Sequence, residues 1–536
     1  MSNANILLLL PAALLALAAP AQDAPAPRAI GPSWIRIDCR GPAAFRQQLL
    51  PTNVGTMLSS AAGERIWKAT AGAVEAEWAK VYAEPGTFAE ARRRILDYAG
   101  NIRIQIHVGA DGPEGMTALA YPDGHSDLAA IGVDLARMVE RVLGQRLEAK
   151  PLGDRTLRQA ARDQGHVVLD VLGDGRLLFA SAPDAARAGE IVADALASAP
   201  ESGSGPLLRL EVDLGRGVAS SREGEDEAWF SATGLDSLRT LEVSLSASGP
   251  RIQLDYRLSC EGDRGLFAGL FPAGGDPPDL FEFCPKDAIG AKTSRFDALA
   301  LWDAVLQTEA ARHDRTAEDM EREAREETGL DLRNDVLAKL SGEALAIFSP
   351  PADTPAVGFG WPRVALVVGL KDGPAFATAF AKMLEKGDLH PETREGVLRA
   401  GRDAHWFFPE IHFGVSKEAA VMAIGAEGED LVERILARQG EKGSLPGTLA
   451  RCEHLAPLGF NGAGRLSIES FLRFYAGMIQ DALSKMLLAE APDVVSSEET
   501  RANVERFLPL LVEHDLAEVV VLSGTKGGTT VLRILW

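Results

Sequence analysis

The chain has 536 residues, of which 46% are apolar and 24% are charged. This length favours two or more domains, and this apolar content excludes a disordered chain, because enough apolar side chains are available to form sizeable cores. The net charge of −21 argues against nucleic acid and anionic membrane surfaces as partners, since an acidic protein repels polyanions.

The N-terminal segment has the pattern of an export signal. Residues 6–19 form an apolar run that is too short to span a bilayer but suits the apolar region of a secretory signal. Ala19 and Ala21 predict cleavage of a signal peptide at 1–21, followed by a flexible Ala/Pro leader at 22–32. We therefore expect a periplasmic or extracellular protein without stable membrane insertion after cleavage. An uncleaved anchor or a misassigned start is the alternative, because Lys and Arg are lacking before the apolar run.

The four cysteines are Cys39, Cys260, Cys284 and Cys452, and no two of them have the C-x-x-C spacing of a zinc or redox site. In an oxidising compartment they could form up to two disulfides. The most local pair, Cys260 with Cys284, would contribute roughly 3 kcal/mol in the chain-entropy model. Four buried free thiols are the alternative.

The two halves of the chain repeat one order of sequence patterns at an offset of about 240 to 280 residues. Each half begins with an Arg-containing strand pattern and an aromatic-led helix, followed by a helix that ends at a Gly before a strand. A second strand ends at Asp-Gly, and an amphipathic helix follows. Each half then has a strand that leads into a helix, a strand that begins with Arg-Leu, and a closing hairpin. This order predicts an internal duplication.

In the first half the matched segments are 34–38 with Phe45, 92–98 with Gly100, 102–106, 118–120 with Asp123-Gly124, 128–143, 177–181 with 186–196, 209–212, and 241–245 with 252–256. Their counterparts in the second half are 294–297 with Trp302, 332–340 with Gly342, 344–348, 364–370 with Asp372-Gly373, 376–384, 420–424 with 431–436, 465–468, and 519–521 with 531–534.

The predicted fold class is α+β, with two tandem related modules at 33–260 and 285–536, each a largely antiparallel or mixed sheet packed with helices. The turn-rich segment 261–284 is the predicted connector. A doubly wound parallel sheet is disfavoured, because its strands would be continuously apolar, whereas residues 102–106 alternate and imply one solvated or amphipathic face. Residues 309–327 are strongly charged and predict a solvated helix or a long arm, with a docking surface as the alternative.

The histidines offer one possible metal site. Of the nine histidines, only His405 and His412 lie near each other, with Glu410 between them. In an extended strand Glu410 and His412 would share a face and could contact a cation. A partly exposed aromatic strand with satisfied histidines is the simpler interpretation, so no metal site is predicted.

No other motif predicts a catalytic residue or a cofactor. Asp123-Gly124 and Asp372-Gly373 recur at equivalent places and could mark a repeated carboxylate site, but Asp-Gly is a strong turn and helix-entry signal. The glycine-rich run 202–206 lacks the Lys and the helix start of a phosphate loop and is predicted to be a linker. The remaining acidic residues that were considered form no close pair in sequence: Asp170, Asp174, Glu343 and Asp403.

The order of elements resembles a secreted bacterial family of uncharacterised proteins, the domain of unknown function 3352. The resemblance is carried by residues 340–346 and 362–372 and, more weakly, by 98–102 and 117–120, where Pro122 replaces the Lys before Asp. It implies an exported protein of similar architecture and supplies no catalytic residues.

The leading functional prediction is an exported non-enzymatic protein that binds an unknown protein or envelope component, or helps to organise the cell envelope. Duplicated modules favour this class because they create a broad surface without a reactive cluster. One alternative is an unrecognised extracytoplasmic hydrolase, which close carboxylates or a His pair would favour. The other is a carrier of an apolar ligand, which an internal cavity would favour.

Overall fold

In a computed structural model the chain divides into two compact units. Unit 1 comprises residues 1–221 and 240–256, and unit 2 comprises 222–239 and 257–536. Unit 2 thus includes 222–239 and 257–260, which the predicted boundaries place in the first module. The structure describes residues 35–61, 94–109, 112–162, 165–197, 205–221, 227–274, 280–313, 315–350, 363–387, 389–402, 410–425, 427–438, 456–457, 459–472 and 508–536.

Unit 1 is built on an antiparallel sheet. Its strands are β1 (Ile35–Arg40), β2 (Asn101–Gly109), β3 (Gly112–Ala120), β4 (Glu148–Leu152), β5 (Arg155–Arg162), β6 (Gly165–Val171), β7 (Leu177–Ala182), β8 (Leu208–Asp213), β9 (Leu238–Ser248) and β10 (Arg251–Cys260). They pair in the order β4-β5-β6-β7-β3-β2-β1-β8-β9-β10. Residues 238–239 of β9 and 257–260 of β10 belong to unit 2.

The helices of unit 1 are α1 (Pro42–Leu49), α2 (Asn53–Ser59), α3 (Leu128–Leu143), α4 (Ala185–Ala197) and α5 (Leu214–Ser221). The longest of them, α3, begins after Asp127, whose carboxylate accepts a hydrogen bond from the backbone N–H of Ala130. It ends at Gly144, whose φ of 69° is a left-handed conformation that glycine adopts without steric cost. The predicted helix 128–143 is therefore confirmed.

Helices cover the β2–β3 region of the unit 1 sheet on both faces. On one face Ile104 and Ala118 form a core cluster with Ile131 of α3. On the other face Leu119 forms a second core cluster with Ile191 of α4. Of the two alternatives for residues 102–106, a solvated or an amphipathic face, the solvated one is wrong, because Arg103 and Gln105 lie on the side that α4 covers and are buried.

Unit 2 also contains an antiparallel sheet. Its strands are β11 (Gly290–Arg295), β12 (Leu340–Ser349), β13 (Arg363–Leu370), β14 (Glu392–Arg394), β15 (Val397–Arg402), β16 (Ile411–Val415), β17 (Ala419–Ile424), β18 (Phe460–Ser467), β19 (Glu518–Lys526) and β20 (Thr529–Leu535). They pair in the order β14-β15-β16-β17-β13-β12-β11-β18-β19-β20. This order matches that of unit 1, strand for strand.

The helices of unit 2 are α6 (Glu227–Thr233), α7 (Leu266–Leu270), α8 (Ala298–His313), α9 (Ala317–Thr328), α10 (Gly373–Lys386) and α11 (Gly428–Leu436). On the inner face of the sheet, Leu431 and Ile435 of α11 share the main core with Leu345. On the outer face, Phe376 of α10 forms a smaller cluster with Leu370. Among the described residues, no helix is long and apolar enough to cross a membrane.

The α+β class is confirmed, but two local predictions are wrong. The predicted helix 332–340 is a π-helical turn followed by a 3-10 turn, and β12 begins at Leu340, so Gly342 lies inside the strand at a bulge. The predicted helix 309–327 is interrupted between α8 and α9, where Thr316 caps α9 by accepting from the N–H of Asp319. The connector 261–284 stays a prediction, and the short helix α7 lies within it.

The described cysteines form no disulfide. Cys39, Cys260 and Cys284 are free thiols, and Cys452 lies outside the described residues. Burial raises the pKa of Cys39 to about 12, and the nearby Asp38 adds to this effect. Burial also raises the pKa of Cys284 to about 11. The Cys260–Cys284 disulfide is absent, since both residues are free thiols. The raised pKa values of Cys39 and Cys284 hold these two thiols in their protonated, unreactive form at neutral pH.

Candidate functional site

The predicted neighbours Glu410 and His412 do lie together. Nε2 of His412 is 3.6 Å from Oε2 of Glu410, and the His412 side chain is mostly buried at the edge of β16. His405 and Asp403 lie outside the described residues. Within the described part of the chain, no group of three or more His, Cys, Asp or Glu side chains could hold a metal ion. Glu410 directly precedes β16, and its contact with His412 is one between two neighbouring side chains.

The recurring Asp-Gly sites hold backbone groups of the chain itself. Asp123 accepts hydrogen bonds from the backbone N–H groups of Ala99, His125 and Ser126. Burial opposes ionisation of Asp123, but these hydrogen bonds outweigh it and lower the pKa of its carboxyl well below the usual range. Asp372 caps α10 by accepting from the N–H of Ala375. Both carboxylates therefore stabilise turns and helix starts.

The three other acidic residues named above that the structure describes are separated, and each lies against an arginine. Asp170 is 3.1 Å from Arg158. Asp174 is 2.7 Å from Arg176, and Glu343 is 3.5 Å from Arg295. These residues lie on different elements, and the structure does not bring them into one site. Of the glycine-rich run 202–206, only Gly205 and Pro206 lie within the described residues.

A buried polar group in unit 1 was not predicted from the sequence. Arg103 of β2 is only 2% exposed, and its Nε donates to Asp38 of β1 across 2.6 Å. Asp38 also accepts from Nε of Arg36 at 2.7 Å. Gln105 and His107 continue this polar row along β2 and are buried as well. The alternation in residues 102–107 was the available signal, but alternation alone does not reveal that a helix covers the polar side.

His107 is the most isolated member of this group. It is 1% exposed, and within the described structure neither ring nitrogen has a hydrogen-bond partner. Burial lowers the pKa of His107; the carboxylate of Asp194 on α4 opposes this effect, and Arg187 on the same helix reinforces it. The imidazole is therefore neutral at pH 7. A sealed position of this kind suits a packing role better than contact with a ligand.

The outer face of the unit 2 sheet has the opposite character, because it is apolar and partly open. Leu366 lies between Ala346 and Met422, and Val364 lies between Phe348 and Ile424. Residues that are directly opposite in an antiparallel sheet point to the same face. Val364 and Leu366 are each 38% exposed. This outer face, defined by the six residues Ala346, Phe348, Val364, Leu366, Met422 and Ile424, is an open apolar surface beside α10.

The cation Lys292 lies in the same sheet row as part of this outer face, between Ala346 and Gly464. Lys292 of β11 is directly opposite Ala346, in the row that continues to Leu366 and Met422. Burial lowers the pKa of Lys292. Within the described residues, its ammonium group has no hydrogen bond or ion pair. A desolvated ammonium group without a counter-ion can bind an anionic group.

The matching row of unit 1 is apolar and covered. β1 and β11 both end at an arginine, Arg40 and Arg295, and the residues three positions earlier are Ile37 and Lys292. The row that begins at Ile37 continues across the neighbouring strands through Ile104 and Ala118 to Phe179. All four belong to, or pack against, the cluster beneath α3. The open face and its lysine therefore distinguish unit 2 from unit 1.

Comparisons with known proteins add little to this geometry. No family model and no curated protein matches the chain. A solved structure titled "Structure of crystal form I of TP0453" is similar over 47% of this chain and 77% of that chain, at 9% identity and a TM-score of 0.23. A likeness at that score carries no argument about fold or function.

Proposed function

We propose that this protein is an exported, non-enzymatic binding protein, built from two copies of one α+β scaffold at about 33–260 and 285–536. It is a periplasmic or extracellular member of the domain of unknown function 3352, released by cleavage of the signal peptide 1–21. Its partner is a protein or another envelope component, which it binds or helps to organise.

The duplication is supported by the strand order. Among the described residues, each half has ten strands, and the strands of both halves are arranged in the same order in the sheet. The strands β1 and β11 occupy corresponding central places in that order. In each half the first strand pairs with the second and the eighth, and the third pairs with the seventh. Such an order involves several long-range pairings, which unrelated sequences rarely share by coincidence.

The single observation that carries the binding function is the open outer face of unit 2. Soluble proteins seldom leave neighbouring large apolar side chains exposed on a sheet, because covering them contributes about 25 cal/mol for each Å² removed from water. Val364 and Leu366 are adjacent in the sheet and both are exposed. The same positions in unit 1, Met116 and Ala118, are buried. An open face in one copy alone favours a surface reserved for a partner.

A hydrolase is less well supported by the same residues. The acidic side chains that could serve as general acids or bases, such as Asp38, Asp170 and Glu343, lie against arginines. A general acid or base must reach its substrate, whereas these carboxylates make their contacts within the protein.

The test is capture of envelope components by the immobilised mature protein, with bound proteins and lipids identified by mass spectrometry. Leu366→Asp places a charge on the outer face and is expected to abolish retention of the specific component. Val512→Asp is the matched control, because Val512 is 57% exposed in the same unit but lies outside that face. Equal capture by wild type and Leu366→Asp, or turnover of a hydrolase substrate panel, would overturn the proposal.

A further inference from the structure

The outer face of unit 2 combines an open apolar surface with the cation Lys292, and this combination restricts what can bind there. Lys292, Ala346, Leu366 and Met422 form one row across four neighbouring strands. Neighbouring strands are about 4.8 Å apart, so the row is about 14 Å long. Lys292 is the charged residue among these four, and the row continues beyond it to Gly464 of β18.

The fold does not require a charged residue at the position of Lys292. The matching residue of unit 1 is Ile37, which packs against the apolar cluster beneath α3. The same strand position therefore accepts an apolar side chain in the same sheet order. Burial of an ammonium group that has no counter-ion among the described residues disfavours its charged form, and a bound anion would offset that penalty.

Deepening the proposed binding function, on which this inference rests, we propose that the outer face binds a single-chain amphiphile of the fatty-acid class. Its carboxylate contacts the ammonium group of Lys292, and its hydrocarbon chain lies across Ala346, Leu366 and Met422. An extended hydrocarbon chain covers the length of this row, and an ammonium–carboxylate contact strengthens where water is excluded.

A second copy of the chain fits this surface less well. A two-fold symmetric contact through the outer face brings the same residues of both copies into one interface, and the two Lys292 side chains with them. Two desolvated like charges in an interface oppose association. The net charge of −21 adds to the repulsion between copies. A fatty acid brings no second ammonium group into the contact, and it carries only one negative charge towards the acidic protein.

The test measures binding of oleate and of oleyl alcohol to the delipidated full mature protein by equilibrium dialysis with radiolabelled probes. Wild type is expected to bind oleate more tightly than oleyl alcohol. Lys292→Met keeps the length of the side chain but removes its charge, so it is expected to weaken oleate binding about tenfold to a hundredfold. Its affinity for oleyl alcohol is expected to change by less than about twofold.

Control variants separate the charge from the apolar surface. Lys417→Met removes an exposed lysine of the same unit and is expected to leave both affinities unchanged. Leu366→Asp is expected to abolish binding of both probes, and circular dichroism and thermal unfolding show whether each variant is folded. Equal oleate affinities of wild type and Lys292→Met would overturn the role of Lys292.

The remaining outcomes distinguish this inference from the broader binding function. If wild type binds neither probe but captures an envelope component through Leu366, the fatty-acid class is wrong and the binding function stands. If sedimentation shows a dimer that Leu366→Asp dissociates, the occupant is a second copy. If neither probe binds and Leu366→Asp chiefly lowers the thermal stability, the protein's own chain covers the face and both proposals fail.

Discussion

At one matching position the two sheets bury different residues, a charged one in unit 1 and an apolar one in unit 2. In unit 1 Asp38 lies opposite Arg103, and in unit 2 Thr293 lies opposite Leu345 at the matching place. Arg103 and Leu345 are both almost fully buried. A buried ion pair is stabilising only while both charges are present, because each one compensates the desolvation of the other.

The residues of unit 2 can therefore be used to test the ion pair of unit 1. We expect Asp38→Thr to lower the free energy of unfolding by about 3 kcal/mol, since it removes the carboxylate that accepts from the buried Arg103 guanidinium. The double variant Asp38→Thr, Arg103→Leu is expected to lose less than Asp38→Thr alone. Urea unfolding of the three proteins checks this order. A double variant less stable than Asp38→Thr would contradict the compensation argument.

His107 gives a prediction about pH. The folded protein holds the pKa of His107 below its ordinary value of 6.5, because burial disfavours the charged imidazolium. As the pH falls through about 6.5, the unfolded chain takes up a proton that the folded protein does not, so stability falls. The contribution of one such group is at most about 1.4 kcal/mol per pH unit.

We therefore expect the variant His107→Leu to lose less stability than wild type between pH 7.5 and pH 5, as measured by urea unfolding at each pH. Burial also lowers the pKa of His166, but that residue is present in both proteins, so their difference isolates His107. Parallel pH dependences for the two proteins would show that His107 is not held neutral in the fold.

At the scale of elements, the strand β12 depends on a glycine at its bulge. Gly342 has a φ of 83°, and a Cβ atom at this position would lie 2.8 Å from the carbonyl oxygen of Phe296. Gly396 has a similar φ of 78° but faces open space. The two glycines therefore share the left-handed backbone and differ only in the close approach.

Gly396→Ala is expected to cost about 1 kcal/mol of unfolding free energy, the price of a left-handed alanine. Gly342→Ala is expected to cost at least about twice as much, because the added methyl group also meets the Phe296 carbonyl. Thermal or urea unfolding of both variants measures the difference. Equal losses would mean that the bulge relaxes without cost.

Local sequence patterns correctly predicted elements that depend on neighbouring residues, such as hairpins. The alternating residues of β9, β10, β19 and β20, and the glycine turns between them, identified two hairpins that the structure contains. Gly342 was misread as the end of a helix, because a glycine before an apolar run suits both a helix end and a bulge. The burial of Arg103 and the exposure of Leu366 could not be predicted, since both depend on helices supplied by distant parts of the chain.

At the scale of the whole molecule, the two sheets share one strand order but differ in what covers them. The helix α3 covers the row that begins at Ile37, whereas the row that begins at Lys292 remains partly open beside α10. The repeated patterns made the shared order predictable. The functional proposal depends on the open row of unit 2, and sequence patterns alone did not show that this row is uncovered.

An experimental structure of the full mature chain tests this account most directly, by superposition of residues 35–260 on residues 290–536. We predict that β1 to β10 superpose on β11 to β20 in one strand order, with Lys292 at the place of Ile37 and with Leu366 open to solvent or to a bound ligand. Different strand orders in the two halves, or a Leu366 buried beneath the protein's own chain, would contradict it.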